Sequence, residues 1–209
     1  FNKGENMGMD VYGMNPKIIG EEPKRPTNMF TNKQPQPTKK EIEDYFEQKE
    51  KYEEINAGIY YRANVWWWRP LASLIHDKIN NKEWFTEQHA DALQDNSGME
   101  WSEQEALEIR DELQLAVSSG ECLQREKENK DRARVSEQWN KKVQDEMDKL
   151  VADAGIDDDT APIDYPAEVK TKWDALYKTR TWDDSYPFSE DNVKRFVRFL
   201  NECGGFQIC

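Results

Sequence analysis

Residues 59–71 read Ile59-Tyr60-Tyr61-Arg62-Ala63-Asn64-Val65-Trp66-Trp67-Trp68-Arg69-Pro70-Leu71, the densest aromatic stretch of the chain. Neither backbone period sends adjacent side chains the same way, so three consecutive tryptophans cannot all enter one core. At least one indole is expected to reach a groove, an interface or a partner. Pro70 suits the first turn of a helix, because its missing N–H is one that the turn leaves unpaired anyway. Leu71, Leu74, Ile75 and Ile79 then share one face of that helix.

Upstream, Ala57-Gly58 breaks the chain, and Thr38 with Glu41 forms a capping box that opens a charged helix. Its apolar side holds Ile42, Tyr45, Phe46, the stem of Lys49 and Tyr52. Five of the nine prolines fall within residues 16–37, which predicts an extended arm. Residues 9–13 alternate in sidedness and end in glycine, as a short strand does. Residues 1–6 read as a leader ahead of Met7-Gly8.

Downstream, a short helix is expected over 84–93, and Asp95-Asn96-Ser97-Gly98 is turn chemistry. Ser102 with Glu105 caps another helix, which closes at Gly120. Residues 121–155 predict a long charged helix with a narrow seam of Val135, Trp139, Val143, Met147 and Leu150. That seam could pack on the body or on a second copy, making a homo-oligomer. Pro166 opens a helix with Val169, Trp173, Leu176 and Tyr177 inward, and 182–188 is a loop. Ser189 caps a last helix with Val193, Phe196, Val197 and Leu200 inward, and 206–209 could pair with the first strand. The class is mainly α within α+β: six to seven helices, one long and charged, and a small sheet of the N- and C-terminal strands. The chain reads as one domain, with a first core part over 7–120 carrying the arm, the long helix over 121–155, and a second core part over 156–209.

Composition narrows the functions. Hydrophobic residues make up 36% against 34% charged, so the core depends on eight Trp, eight Tyr and eight Phe. Each of these can bury about 150–250 Å². A net charge of −13 disfavours binding along a nucleic-acid backbone, which rewards a basic face, so no direct duplex DNA binding is expected. The same charge allows an acidic surface to occupy a partner's basic groove. No run approaches the ~18 apolar residues of a membrane span. Three scattered cysteines, Cys122, Cys203 and Cys209, suggest a reducing compartment.

Tyr60, Arg62, Asn64, Trp66, Trp67, Trp68 and Arg69 combine flat rings with guanidinium forks, a pairing that suits stacking on a base and gripping a phosphate. Tyr186, in the second aromatic loop, could wall the same groove. The simpler alternative is that the tryptophans are core and Arg69 pairs with an acidic neighbour. His76 and His89 sit singly on helices and read as structural or exposed, and Asp157 to Asp159 as a solvated loop. With no glycine-rich phosphate loop, nucleophile elbow, metal-histidine pair or Cys-x-x-Cys, no catalytic residue, metal site or cofactor is assigned. A nucleotide-processing enzyme assembled from distant residues stays open.

The segments Met7-Gly8-Met9-Asp10-Val11-Tyr12-Gly13-Met14-Asn15-Pro16, Gly58 through Leu71, Ser185-Tyr186-Pro187-Phe188-Ser189 and Gly204-Gly205-Phe206-Gln207-Ile208-Cys209 together resemble a group of uncharacterised tailed-bacteriophage proteins, marine phages included. The resemblance brings no activity and no site residue. It implies a phage product at work in the cytoplasm of an infected bacterium. The leading expectation is a non-catalytic binder of a nucleotide-like small molecule, suited to counter-defence by sequestering an immune second messenger. The alternative is an acidic inhibitor of a host defence or nucleic-acid enzyme.

Overall fold

A computed structural model describes residues 8–157, 159–183 and 185–209. The expected leader, Asp158 of the acidic loop and Asp184 lie outside the described residues. Secondary structure runs β1 (Gly8–Gly13), α1 (Lys39–Ile55), β2 (Tyr60–Asn64), α2 (Val65–Ile79), α3 (Glu87–Ala92), β3 (Glu100–Trp101) and α4 (Glu103–Ser118). It continues with α5 (Glu121–Asp153), a 3-10 turn at Pro162–Asp164, α6 (Ala167–Tyr177), α7 (Glu190–Glu202) and β4 (Phe206–Ile208). The protein is therefore mainly helical, with a small antiparallel sheet in the order β2-β1-β4-β3. The terminal strands β1 and β4 do pair, Val11 opposite Ile208.

Two compact units result. One takes the chain up to Glu121 together with Glu190–Cys209, and the other is Cys122–Ser189. The stretch 156–209, expected as a second core part, is divided between them. The first unit's core joins large rings to aliphatic side chains such as Leu71, Leu74, Ile75 and Ile109. Trp68, Trp101, Phe196, Phe199 and Phe206 are all but sealed from solvent. Trp101 and Phe206 face each other across the β3–β4 pair and stack at 5.2 Å, while Trp68 meets Phe196 edge-on at 5.7 Å. Glycine lets three chain segments cross here. A Cβ on Gly13 would run into the Gly58 carbonyl, and one on Gly58 into the backbone of Glu202. Backbone therefore lies on backbone, held by Gly13 N–H to the Ile59 carbonyl at 3.0 Å and Asn15 N–H to the Cys203 carbonyl at 3.1 Å.

Capping explains where several helices start. Thr38 with Glu41 and Ser102 with Glu105 both form complete capping boxes, as their spacing predicts. Helix α2 begins five residues before Pro70, because the Asn64 side chain accepts the Trp67 N–H and caps it there. Pro70 is thus inside the helix rather than at its first turn. Helix α3 covers only part of the expected 84–93, since the Thr86 cap excludes Trp84 and Phe85.

β2 is a second departure. The aromatic segment supplies an edge strand as well as a helix, with Tyr61 and Ala63 inward and Tyr60, Arg62 and Asn64 outward. Arm residue Ile19 is tied to the C-cap of α1. Asn56, only 1% exposed, accepts the Ile19 N–H at 2.6 Å and donates to the Ile19 carbonyl at 3.1 Å.

In the second unit, the buried line of α5 is Ser136, Asn140, Val143, Met147 and Val151. The expected seam is rotated: Val135 and Trp139 stay exposed, and the polar Ser136 and Asn140 take the inner positions. Their hydrogen bonds explain this. Asn140 accepts the Thr181 N–H at 3.0 Å and donates to the Thr181 carbonyl at 2.9 Å, while Ser136 bonds the Thr181 hydroxyl. Three turns earlier, Asn129 accepts the Phe188 N–H at 2.9 Å and donates to the Tyr186 carbonyl at 3.0 Å. Val143 and Met147 are covered within the single chain. Helix α6 buries none of its residues; Val169, Trp173 and Leu176 are half-covered and Tyr177 is exposed, against the inward placement their spacing predicts. In α7, Phe199 is buried where Val197 was expected.

Candidate functional site

The outward face of β2 sets the site. Tyr60 stands opposite Tyr12 of β1, their rings 5.1 Å apart, and its hydroxyl donates to the Asp10 carboxylate. Arg62 stands opposite Asp10 and reaches it at 3.5 Å. On the inward face, the Tyr61 hydroxyl donates to Asn192 at 2.7 Å and its ring meets Phe196 edge-on at 4.9 Å. Burial, reinforced by the bond to Asp10, pushes the Tyr60 hydroxyl up to about 12. Burial raises the Tyr61 hydroxyl further still. Both therefore remain protonated near neutrality.

Helix α7 supplies the next wall. Its inward positions Val193, Phe196, Phe199 and Leu200 fix the helix on the core and leave Arg195 and Arg198 outside. The Arg195 guanidinium lies over the Tyr61 ring at 5.5 Å, and Arg198 donates to the Glu54 carbonyl. The last turns of α1 place Glu50, Glu53 and Glu54 on the opposing side. Between these walls runs a groove of about 580 Å³ with Tyr60, Arg62, Arg195 and Arg198 in its lining. That volume lies within the roughly 300–1,000 Å³ of small-molecule sites. A neighbouring hollow of about 460 Å³, lined in part by Tyr12, Tyr52 and Ile59, shares Tyr60 and Glu53 with it.

Of the residues predicted from sequence, the groove takes Tyr60 and Arg62. Asn64 is the α2 cap. Trp68 is core, its indole N–H donated to the Leu93 carbonyl at 2.8 Å. Trp66 and Trp67 are 37% and 38% exposed, and Arg69 is exposed as well. Tyr186 belongs to the second unit, half-buried, its carbonyl held by Asn129. Sequence reasoning missed Arg195, Arg198 and the glutamate wall. The signal for the two arginines is the period of α7, where cations fill the gaps between the inward apolar residues.

His89 is structural. Its Nδ1 accepts the Thr86 N–H at 3.1 Å, which places the ring proton on Nε2, 3.6 Å from Glu105. Trp101 meets the ring edge-on at 4.8 Å. Among the described residues, no group of three or more His, Cys, Asp or Glu is placed to hold a metal ion, and no helix is long and apolar enough to cross a membrane. In the second unit a groove of about 490 Å³ runs beside Val135 and Trp139, with Asp131 and Asp183 among its lining. Comparison with protein-family models, with curated proteins and with solved structures found no match.

Proposed function

We propose that the protein is a non-catalytic binder of a nucleotide-like small molecule, held in the groove between β2, α7 and α1. One observation carries the reading. A protein of net charge −13 gathers Arg62, Arg195 and Arg198 around exposed Tyr60 in a cleft of ligand size. The guanidinium forks match phosphate oxygens, and the tyrosine offers a face to a base. Across the groove, the carboxylates of Glu50, Glu53 and Glu54 accept hydrogen bonds from a base amino group. Tyr60 and Tyr61 are held protonated and already give their hydroxyl protons to Asp10 and Asn192, so neither is set up as a nucleophile or base, and Tyr60 contributes its ring face. In the cytoplasm of an infected bacterium, such a protein would withdraw a nucleotide signal from its receptor.

The test is a thermal-shift and calorimetric titration with adenosine 5′-monophosphate, using wild type beside Arg62→Ala, Arg195→Ala. Ligand at 100 times its dissociation constant stabilises a fold by about 2.7 kcal/mol, roughly 2–4 °C at this size. The expected result is a shift that the variant loses, with the nucleotide recovered intact. Absence of binding by wild type refutes the reading, and hydrolysed nucleotide converts it to an enzyme.

The exposed Val135, Trp139 and Trp182 of the second unit favour a second reading, an inhibitor that docks a host enzyme. It requires a protein complex that persists in the arginine variant.

A further inference from the structure

Arg198 lines a second groove as well as the first. On the other side of α7, between it and α4, lies a cleft of about 390 Å³ with Arg110, Gln114, Lys194 and Asn201 in its lining and Val117 and Val197 as apolar ground. Cationic side chains thus line both clefts beside α7: Arg62, Arg195 and the shared Arg198 in the first, facing Glu50, Glu53 and Glu54, and Arg198, Lys194 and Arg110 in the second. Arg195 and Arg198 are one short step apart, ~4.5 Å along the axis, and Lys194 lies one turn from Arg198. Each cation already has an anchoring contact. Arg110 donates to Asp111 at 2.7 Å and to Asn201 at 3.0 Å, Lys194 pairs with Glu190 at 2.5 Å, and Arg198 donates to Glu54. Those contacts orient the side chains; a guanidinium has five N–H donors, so donors remain for a ligand.

The two clefts differ in kind. The first offers an aromatic face, and the second offers the amides of Gln114 and Asn201 above aliphatic ground. Since Asn201 spends its oxygen on Arg110, its NH₂ is the group left to read a base edge. A mononucleotide engages one cleft. Resting on the binding reading above, we infer that the ligand is a phosphodiester-linked dinucleotide. One base lies on Tyr60, the linking phosphate at Arg198, and the second base against Gln114 and Asn201.

Calorimetric titration of wild type with three probes tests this: adenosine 5′-monophosphate, adenosine 5′-diphosphate and the dinucleotide pApA. The diphosphate adds charge without a second base. Gln114→Ala, Asn201→Ala is titrated alongside, its folding checked by its thermal midpoint. We expect pApA to bind at least tenfold tighter than either mononucleotide, and the double variant to bring that ratio to about one. If the diphosphate matches pApA, or if the variant keeps the ratio, the inference falls while mononucleotide binding still stands. If no probe binds wild type, the inference and the binding reading fall together.

Discussion

Trp68 and Trp139 make the same hydrogen bond, an indole N–H donated to a backbone carbonyl at 2.8 Å. Trp68 is 1% exposed and Trp139 is 45% exposed. In the first unit the bond satisfies a donor that burial would otherwise orphan, and the stabilisation comes from the ring. In the second unit the bond pins a loop carbonyl, that of Thr179, onto the outside of α5. One unit is organised by aromatic packing, the other by side chains that grip backbone. A polar, lysine- and glutamate-rich chain can fold both ways, provided its large rings are concentrated where the sheet is.

Truncation should separate the two most widely. Trp68→Ala is expected to cost about 3–5 kcal/mol by opening the core and orphaning the Leu93 carbonyl, whereas Trp139→Ala should cost about 0.5–1.5 kcal/mol. Urea unfolding of both variants measures the difference, and equal losses would break the comparison.

Asn140→Ala sharpens it. Removing both bonds to Thr181 should cost about 1–3 kcal/mol. The loss should appear first as faster hydrogen exchange at the Thr181 amide, before any change in the Trp68 core. Exchange that speeds uniformly over the chain would show that the second unit has no local clamp.

The smallest effect concerns pH. The Glu108 carboxyl lies below its ordinary 4.5, chiefly because it accepts the Trp84 indole N–H at 2.9 Å and secondly because it accepts from Gln104. A depressed carboxyl contributes stability above its unfolded value and loses it as the pH falls through the lower folded value. Acidification below about 4.5 should therefore weaken the contact and change the Trp84 environment. Glu108→Gln should flatten that part of the fluorescence titration, and an unchanged titration would show that the bond carries no charge-dependent stability.

How much of this the sequence discloses depends on the range of the forces involved. Capping is local, so Thr38 with Glu41 and Ser102 with Glu105 were legible, and glycine punctuation located the ends of α4 and α5. The pairing of β1 with β4 was open to the sequence only as a possibility between two short terminal strands, and the register is set by the fold. β2 did not, because five residues of mixed polarity beside three tryptophans read as one aromatic block. Only the partner strand reveals that Tyr61 and Ala63 face inward. The α5 seam departs from its apolar spacing for a related reason. Apolar spacing favoured Val135 and Trp139, but Asn140 and Ser136 are inside because Thr181, forty-odd residues on, meets them there. The groove shows the same limit. Tyr60 and Arg62 were visible as a ring beside a cation. Arg195, far along the chain, joins them only when α7 folds against β2.

Asn56, Asn129 and Asn140 each present an oxygen to a backbone N–H and an NH₂ to a backbone carbonyl, standing in for a strand's peptide group. Replacing any of them by aspartate would leave the shape nearly untouched and put an anionic oxygen where a donor now meets a carbonyl. The carbonyls of Ile19, Tyr186 and Thr181 would then be repelled at the points that now hold them. Three amide nitrogens thus decide where these segments attach, and a single charge in place of any one of them would undo its attachment while leaving the side chain's shape intact.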